Sequence, residues 1–352
     1  MDNALSMAFP RIGASLHRTA IANVPTPVTS HTVGLPFGTR NIMVKHDEAT
    51  HDVYGGNKVR KLEYLLRRAS DRNARRIATF GAVGSNHALA TAVHATRLGF
   101  DCTCFLSHQK ATPNIARTLN MHRDLGTEII HWGGSVDSRT LYRKYLQHRK
   151  TWVIPLGGTC WLGAIGFVNA GLELAEQIRI AEIPRPASIY IACGTTGSAA
   201  GLSLGLAVAG LPITVQSIKV ADNPFASERK LRKLMAKTHY ILNRLDPSFE
   251  ATGWQERIVW RDEFLAGGYA KVDDATATAV ATARDSLNLS LETTYTGKAM
   301  AAMLHDLQSP EYSGEPYLFW DTYNSRQLPV MSDPPEAWDV IPEEFARYYT
   351  SE

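Results

Sequence analysis

The alternation of apolar and polar positions divides the chain into short strands and amphipathic helices. Residues 77–80 (Ile-Ala-Thr-Phe) predict a strand, 81–86 a turn, and 87–98 a helix closed by Gly99. The pattern then repeats: 100–106 predict a strand, 114–125 a helix stopped by Gly126, and 128–132 another strand. Strand–helix–strand runs of this length indicate parallel βαβ units. Upstream, 42–44 read as a strand and 60–69 as a helix, with Leu62, Leu65 and Leu66 on one face.

Downstream, 151–155 predict a strand, 163–180 a long helix, 188–193 a strand and 199–209 a helix, with 212–217 opening a further unit. Residues 222–285 read as mainly helical and charged, broken by a turn at Gly267-Gly268. A helix over 299–307 and a late strand over 317–320 follow. Residues 1–24 show no period and are expected to be irregular, ending at Pro25-Thr26-Pro27. The expected fold is α/β, with a larger discontinuous domain over 1–60 and 171–352 and a smaller mobile one over 61–170.

With 352 residues, two domains or one large α/β body with a smaller lobe are in range. Lys and Arg number 37 against 34 Asp and Glu, scattered, so no nucleic-acid footprint is expected. Cys102, Cys104, Cys160 and Cys193 form no CxxC pair; Cys102 and Cys104 alternate along a strand and should share a buried face. This usage suits a reducing compartment. The N-terminus lacks a basic region followed by a long apolar core, and the smoothest apolar stretch, 197–211, is too short to span a bilayer. A cytoplasmic enzyme without membrane contact is the expectation. The histidines, His94, His108 and His122 among them, are scattered and suggest packing or surface roles, not a metal site.

Three polar constellations interrupt this pattern. Lys58 lies in Gly55-Gly56-Asn57-Lys58-Val59-Arg60-Lys61, a glycine turn running into a helix, and Lys61 sits one turn beyond it. An amine nucleophile must be reachable, rigidly placed and easily deprotonated. Ser85 and Asn86 follow a strand and open a helix, where helix capping alone accounts for such residues and ligand contact is the functional alternative. His87 and Thr91 share that side of the helix. Gly194-Thr195-Thr196-Gly197-Ser198 joins a strand to a helix rich in small residues, an arrangement able to cradle a phosphate, although no Gly-Lys-Ser/Thr element is present. Tyr295, before Thr296-Gly297-Lys298, offers a phenol as acid, base or orienting group. An amine, a polar ring site and a phosphate cradle together suggest pyridoxal phosphate (PLP).

Taken with Pro25-Thr26-Pro27, Lys45-His46-Asp47-Glu48, Gly84-Ser85-Asn86-His87, Pro155-Leu156-Gly157-Gly158-Thr159 and Tyr295-Thr296-Gly297-Lys298-Ala299, the Lys58 block resembles the D-cysteine desulfhydrase / 1-aminocyclopropane-1-carboxylate (ACC) deaminase family. These are fold-type II PLP enzymes, tryptophan synthase beta-like, with two open, twisted, mainly parallel sheets flanked by helices. The resemblance covers nearly the whole chain. It implies that Lys58 carries the cofactor and Asn86 contacts its ring hydroxyl. Gly194, Thr195, Thr196, Gly197 and Ser198, with Lys61, would hold its phosphate, and Thr296 would face its pyridine nitrogen. Ser85 and Tyr295 take the catalytic positions on the substrate side, with His87, Gly158 and Tyr323 lining the substrate.

The resemblance further implies a homodimer acting on a small amino acid. Thr296, where deaminase-like members carry Glu, points to elimination of the D-cysteine type; ACC-like ring opening and a non-catalytic PLP-binding protein are the alternatives. Three departures bear on the substrate. Gly84 stands where Gln is usual, and 195–198 is a stiffer Thr-Thr-Gly-Ser form. Asp321-Thr322-Tyr323-Asn324-Ser325 replaces a His-Thr-Gly-Gly-like loop, which admits a different small or modified amino acid.

Overall fold

The structure, a computed structural model, describes residues 3–36, 38–112, 114–133, 147, 150–309, 312, 314–324 and 341–349. The chain forms two compact units: Met1–Tyr64 with Thr159–Arg326, and Leu65–Gly158 with Gln327–Glu352.

The first unit is built on a six-stranded sheet of order β1-β2-β10-β7-β8-β9. Its strands are β1 (Val28–Leu35), β2 (Gly38–His46), β7 (Ser188–Cys193), β8 (Thr214–Lys219), β9 (Ile258–Arg261) and β10 (Tyr317–Asp321). Only the β1–β2 pair is antiparallel. β7 is buried at all six residues, as a central parallel strand covered on both faces must be. The sheet of the second unit is parallel, of order β5-β4-β3-β6. It is made of β3 (Arg76–Ala82), β4 (Asp101–Ser107), β5 (Glu128–His131) and β6 (Thr151–Ile154).

The helices are α1 (Ala4–Ala8), α2 (Pro10–Ser15), α3 (Asn57–Asp71), α4 (Asn86–Arg97), α5 (Ile115–Asp124), α6 (Trp161–Arg179), α7 (Gly197–Val208), α8 (Glu228–Leu245), α9 (Asp274–Leu287) and α10 (Thr296–Leu307). α6 and α7 approach backbone to backbone: a Cβ on Gly201 would lie 2.1 Å from the Ala164 carbonyl oxygen. This contact joins 159–170 to the first unit, and the described residues 341–349 group with the second. Among the described residues no helix is long and apolar enough to cross a membrane.

Four elements differ from the reading of the sequence. Residues 4–15 form two short helices, the first closed by a reciprocal Asn3–Ser6 capping box, and each buries one residue, Leu5 or Ile12. One buried residue per helix leaves no period to read. The sequence does not announce β1 because its polar residues stand exposed beside β2, and β9 lies inside the charged stretch 222–285 that reads as mainly helical. The paired thiols behave as expected: Cys102 and Cys104 are buried, with sulfurs 3.9 Å apart.

A buried charge network sits beneath the start of α3. Lys45 Nζ donates to Glu173 Oε1 at 2.6 Å, to Gln177 Oε1 at 2.6 Å and to the Thr26 carbonyl at 2.8 Å. Arg60 donates through Nη1 to Glu173 Oε2 at 2.8 Å and through Nη2 to Asp47 Oδ1 at 2.8 Å. Burial on its own would raise the Glu173 pKa, but Arg60 and Lys45 outweigh it and hold the carboxyl at about 2. Replacing Glu173 by Gln takes the carboxylate from buried Lys45 and leaves Arg60 with Asp47 alone, so we expect a loss of about 3–5 kcal/mol in urea unfolding. The Glu173 contribution should be complete above pH 4.5, the ordinary carboxyl value, and disappear as pH falls toward 2. A difference between wild type and Glu173→Gln that does not shrink over that window contradicts the assignment.

Candidate active site

The turn that carries Lys58 is fastened by its backbone. Gly55 N–H donates to Asn324 Oδ1 at 2.9 Å, Gly56 N–H to the Asp47 carbonyl at 2.8 Å, and Asn57 N–H to the Thr322 carbonyl at 3.2 Å. The Asn324 side chain and the Thr322 backbone therefore grip the lysine turn from the end of β10. Ser325 and Arg326 of that loop lie outside the described residues.

Lys58 is half-buried, and its amine donates to Asn57 Oδ1 at 3.1 Å. Burial pushes its pKa down to about 8, against the opposing pull of Cys193 and Glu292. Lys61 is 2% exposed, and burial, then the neighbouring Lys58, hold its pKa well below the usual lysine value. The Cys193 thiol is itself pushed up to about 12 by burial, although both lysines pull it down.

The strand-to-helix loop forms a cradle for an anion. Thr196 precedes α7 at φ 74°, a left-handed conformation that costs a β-branched residue about 1–3 kcal/mol. Such strain persists where the surroundings over-determine it, commonly at ligand sites. The hydroxyls of Thr159 and Thr195 are 2.7 Å apart, and Asn57 Nδ2 donates to Ser198 Oγ at 3.0 Å. A Cβ on Gly197 would stand 2.8 Å from Lys61 Nζ and 3.0 Å from Thr159 Oγ1. The Lys61 amine, hydroxyls and the first N–H groups of α7 thus converge where only glycine leaves room, which fits a phosphate.

Tyr295 forms a wall beside this loop. A Cβ on Gly194 would lie 3.1 Å from its ring. Its phenol oxygen is 2.7 Å from that of Tyr269, with the rings edge to face. Burial, then Tyr269, hold the Tyr295 proton well above the usual phenol range. Tyr269 is placed by its own N–H, which donates to Asp222 at 3.0 Å, and by buried Lys298, which donates to the Leu265 and Gly268 carbonyls at 2.7 and 2.9 Å.

Thr296 is 1% exposed, and its hydroxyl lies 3.2 Å from Glu292 Oε1. Glu292 also accepts from the N–H groups of Thr294, Tyr295 and Thr296 at 2.7, 2.8 and 2.8 Å. It thereby caps α10 and fixes the Tyr295 backbone. Burial raises its pKa. Tyr323 follows β10, and its N–H donates at 3.1 Å to Asp321, whose carboxyl is pushed well up by burial and by Glu48.

Lys58, Lys61, Gly194 to Ser198, Tyr295, Thr296 and Tyr323 therefore belong to the first unit, and Ser85, Asn86, His87 and Gly158 to the second. Ser85 caps α4, accepting from the Ala88 N–H at 3.3 Å. Asn86 is half-buried at the first position of α4. His87 is 4% exposed, with Nε2 2.9 Å from the Thr79 hydroxyl. Gly158 turns at φ 61°. Tyr269, Glu292, Lys298 and Glu173 went unassigned in the sequence. Glu173, a carboxylate following a long apolar run, and Tyr269, after the Gly267-Gly268 turn, were the signals to find.

An amine with a pKa near 8 is half neutral two units or more below ordinary lysines. Acylation of the apoprotein, followed peptide by peptide, should give Lys58 a reactivity midpoint near pH 8, against 10.5 for an unperturbed lysine. A Lys58 midpoint at the ordinary value would remove the claim that burial activates it.

D-cysteine desulfhydrases of Salmonella newport (strain SL254) and Salmonella enteritidis PT4 (strain P125109) are each 31% identical over 315 residues, covering 87% of this chain and 93% of theirs. The crystal structure of an ACC deaminase homologue is similar with a TM-score of 0.74 at 26% identity, covering 92% of this chain and 95% of that one. A fungal L-serine ammonia-lyase from Rhizomucor miehei shares the fold, with a TM-score of 0.58 at 18% identity over 86% of this chain and 94% of its own. Residues 20–320 match the family described as pyridoxal-phosphate dependent enzyme, and the chain belongs to that family.

Proposed function

We propose that this PLP-dependent enzyme is a lyase of the D-cysteine desulfhydrase type. It would convert D-cysteine and water to pyruvate, ammonia and hydrogen sulfide. The observation that carries this reading is the Lys58 amine, held near neutrality beside the Gly194–Ser198 cradle and accompanied by a protonated Tyr295 phenol. The relatives named D-cysteine desulfhydrase support the substrate.

What PLP supplies when bound is an electron sink for the pair released at the substrate's α-carbon. Lys61, Gly194, Thr195, Thr196, Gly197 and Ser198 would hold the phosphate, and Asn86 the ring hydroxyl. Lys58 Nζ takes the α-proton, a role suited to an amine whose pKa lies near the working pH. Tyr295 Oη carries a proton to the departing sulfur and is aimed by its bond to Tyr269. Ser85, His87, Gly158 and Tyr323 orient the amino acid. Thr296 would face the pyridine nitrogen, where a hydroxyl, unlike a carboxylate, would not retain a proton on nitrogen; this suits a reaction in which the leaving group departs promptly.

We assign the chain to the cytoplasm as a homodimer, a reading supported by its family resemblance and its four unbridged cysteines. Opening of an ACC-like ring is the second reading, favoured by the likeness to an ACC deaminase homologue.

Purified holoenzyme supplied with D-cysteine should release sulfide and pyruvate in equal amounts and give no 2-oxobutanoate from ACC. The reverse outcome selects the second reading. Lys58→Ala should lower kcat by about a thousandfold or more. Gly197→Ala should weaken PLP binding about tenfold with the fold intact, followed by cofactor absorbance on titration.

A further inference from the structure

In the second unit, the segment after β4 brings Gln109 against the turn that opens α4. Gly84 N–H donates to Gln109 Oε1 at 3.2 Å. A Cβ on Gly84 would stand 2.9 Å from Gln109 Nε2. The Gln109 amide therefore occupies the space that a side chain at position 84 would need, immediately before Ser85 and Asn86. Glycine is the residue with the widest backbone freedom, so the aim of the next two residues depends on what holds it.

Gln109 is in turn held by one phenol. Its N–H donates to Tyr348 Oη at 3.1 Å, and the Tyr348 hydroxyl donates to its carbonyl at 2.8 Å. A phenol is one donor and one acceptor, and here both capacities meet the backbone of the same residue. Tyr348 belongs to the segment 341–349, which is well anchored. Ile341 and Phe345 are 1% and 0% exposed. The Phe345 ring lies 5.3 Å from that of His108 and 5.6 Å from that of His131. The Tyr349 hydroxyl donates to Asn120 Oδ1 on α5 at 2.8 Å. Phe345 and Tyr349 secure the segment without the Tyr348 hydroxyl, whose contacts to Gln109 are shorter than those to His108 Nδ1 at 3.4 Å and from Arg347 Nη2 at 3.5 Å.

We infer that Gln109 and Tyr348 are positioning residues for the amino-acid substrate: Tyr348 fixes Gln109, and Gln109 fixes the Gly84–Ser85–Asn86 turn. The segment 341–349 thus governs how tightly the amino acid is held. This rests on the reading above that Ser85 orients the amino acid. Small displacements of a positioning group are costly because alignment is lost with distance. The hold acts on the substrate and not on the phosphate, whose cradle belongs to the first unit.

The test compares wild type, Tyr348→Phe, Gln109→Ala and the double variant as holoenzymes. Tyr348→Phe retains the ring and removes only the hydroxyl. Each single variant should raise KM for D-cysteine about five- to tenfold with kcat within about twofold, the pattern of lost uniform binding. The double variant should be no worse than the weaker single, because both act through one turn. Amide hydrogen exchange supplies a readout independent of activity: peptides covering 82–88 should exchange about tenfold faster in both single variants, with 189–205 unchanged. Unchanged exchange in 82–88 overturns the clamp whatever the substrate is. Faster exchange with unmoved KM overturns its role in substrate binding, and faster exchange throughout the protein reduces it to stability. Wild type that leaves D-cysteine untouched refutes the substrate reading instead, and whichever amino acid shifts the cofactor absorbance then replaces D-cysteine in the KM comparison as an apparent dissociation constant.

Discussion

The buried network of Lys45, Glu173, Arg60 and Asp47 is the constraint on which the Lys58 site depends. Four charges are removed from water within hydrogen-bond reach of one another, and none is tolerable there alone. Their pairing joins the end of β2, the first turn of α3 and the middle of α6. Arg60 lies two residues from Lys58 and one from Lys61, so the geometry that satisfies the network also sets the orientation of both amines. Isolated ion pairs contribute little to stability at a surface; here the gain is a fixed helix register.

A second consequence of burial is chemical. Lys58 and Lys61 share one helical turn in a region where charge is poorly solvated, and both lose proton affinity. Cys193 and Tyr295 respond in the opposite direction, keeping their protons. One desolvated environment therefore prepares an amine to accept a proton and a phenol to retain one. Glu292 contributes differently, since three backbone N–H groups and a hydroxyl converge on it to cap α10.

The two departures most visible beside the family pattern turn out to be structural assignments of neighbours. The 321–324 loop grips the lysine turn through the Thr322 carbonyl and the Asn324 amide. Gly84 yields its space to Gln109, a residue with nothing in its sequence surroundings to mark it. In both places a change at one position is answered by contacts from a segment remote along the chain.

The sequence alone determined the succession of strands and helices wherever apolar periods were long enough, as in β7, α4 and α6. It also determined the chemistry, because the glycine turn before Lys58, the 194–198 loop and the Tyr295 block are local patterns whose residue types restrict what they can bind. Elements with few buried residues, such as α1, α2 and β1, left too little period to be read, and β9 lies within a charged stretch that reads as helical. Only the tertiary structure decided which distant groups meet: Glu173 with Arg60, Tyr269 with Tyr295, Asn324 with Gly55, and Tyr348 with Gln109. Such pairings arise from the closure of long loops, and hydrogen bonds across 26 to 269 residues leave no imprint on local composition. For the same reason the lowered pKa of Lys58 could be anticipated as a requirement, while its cause, burial among these particular neighbours, belongs to the fold.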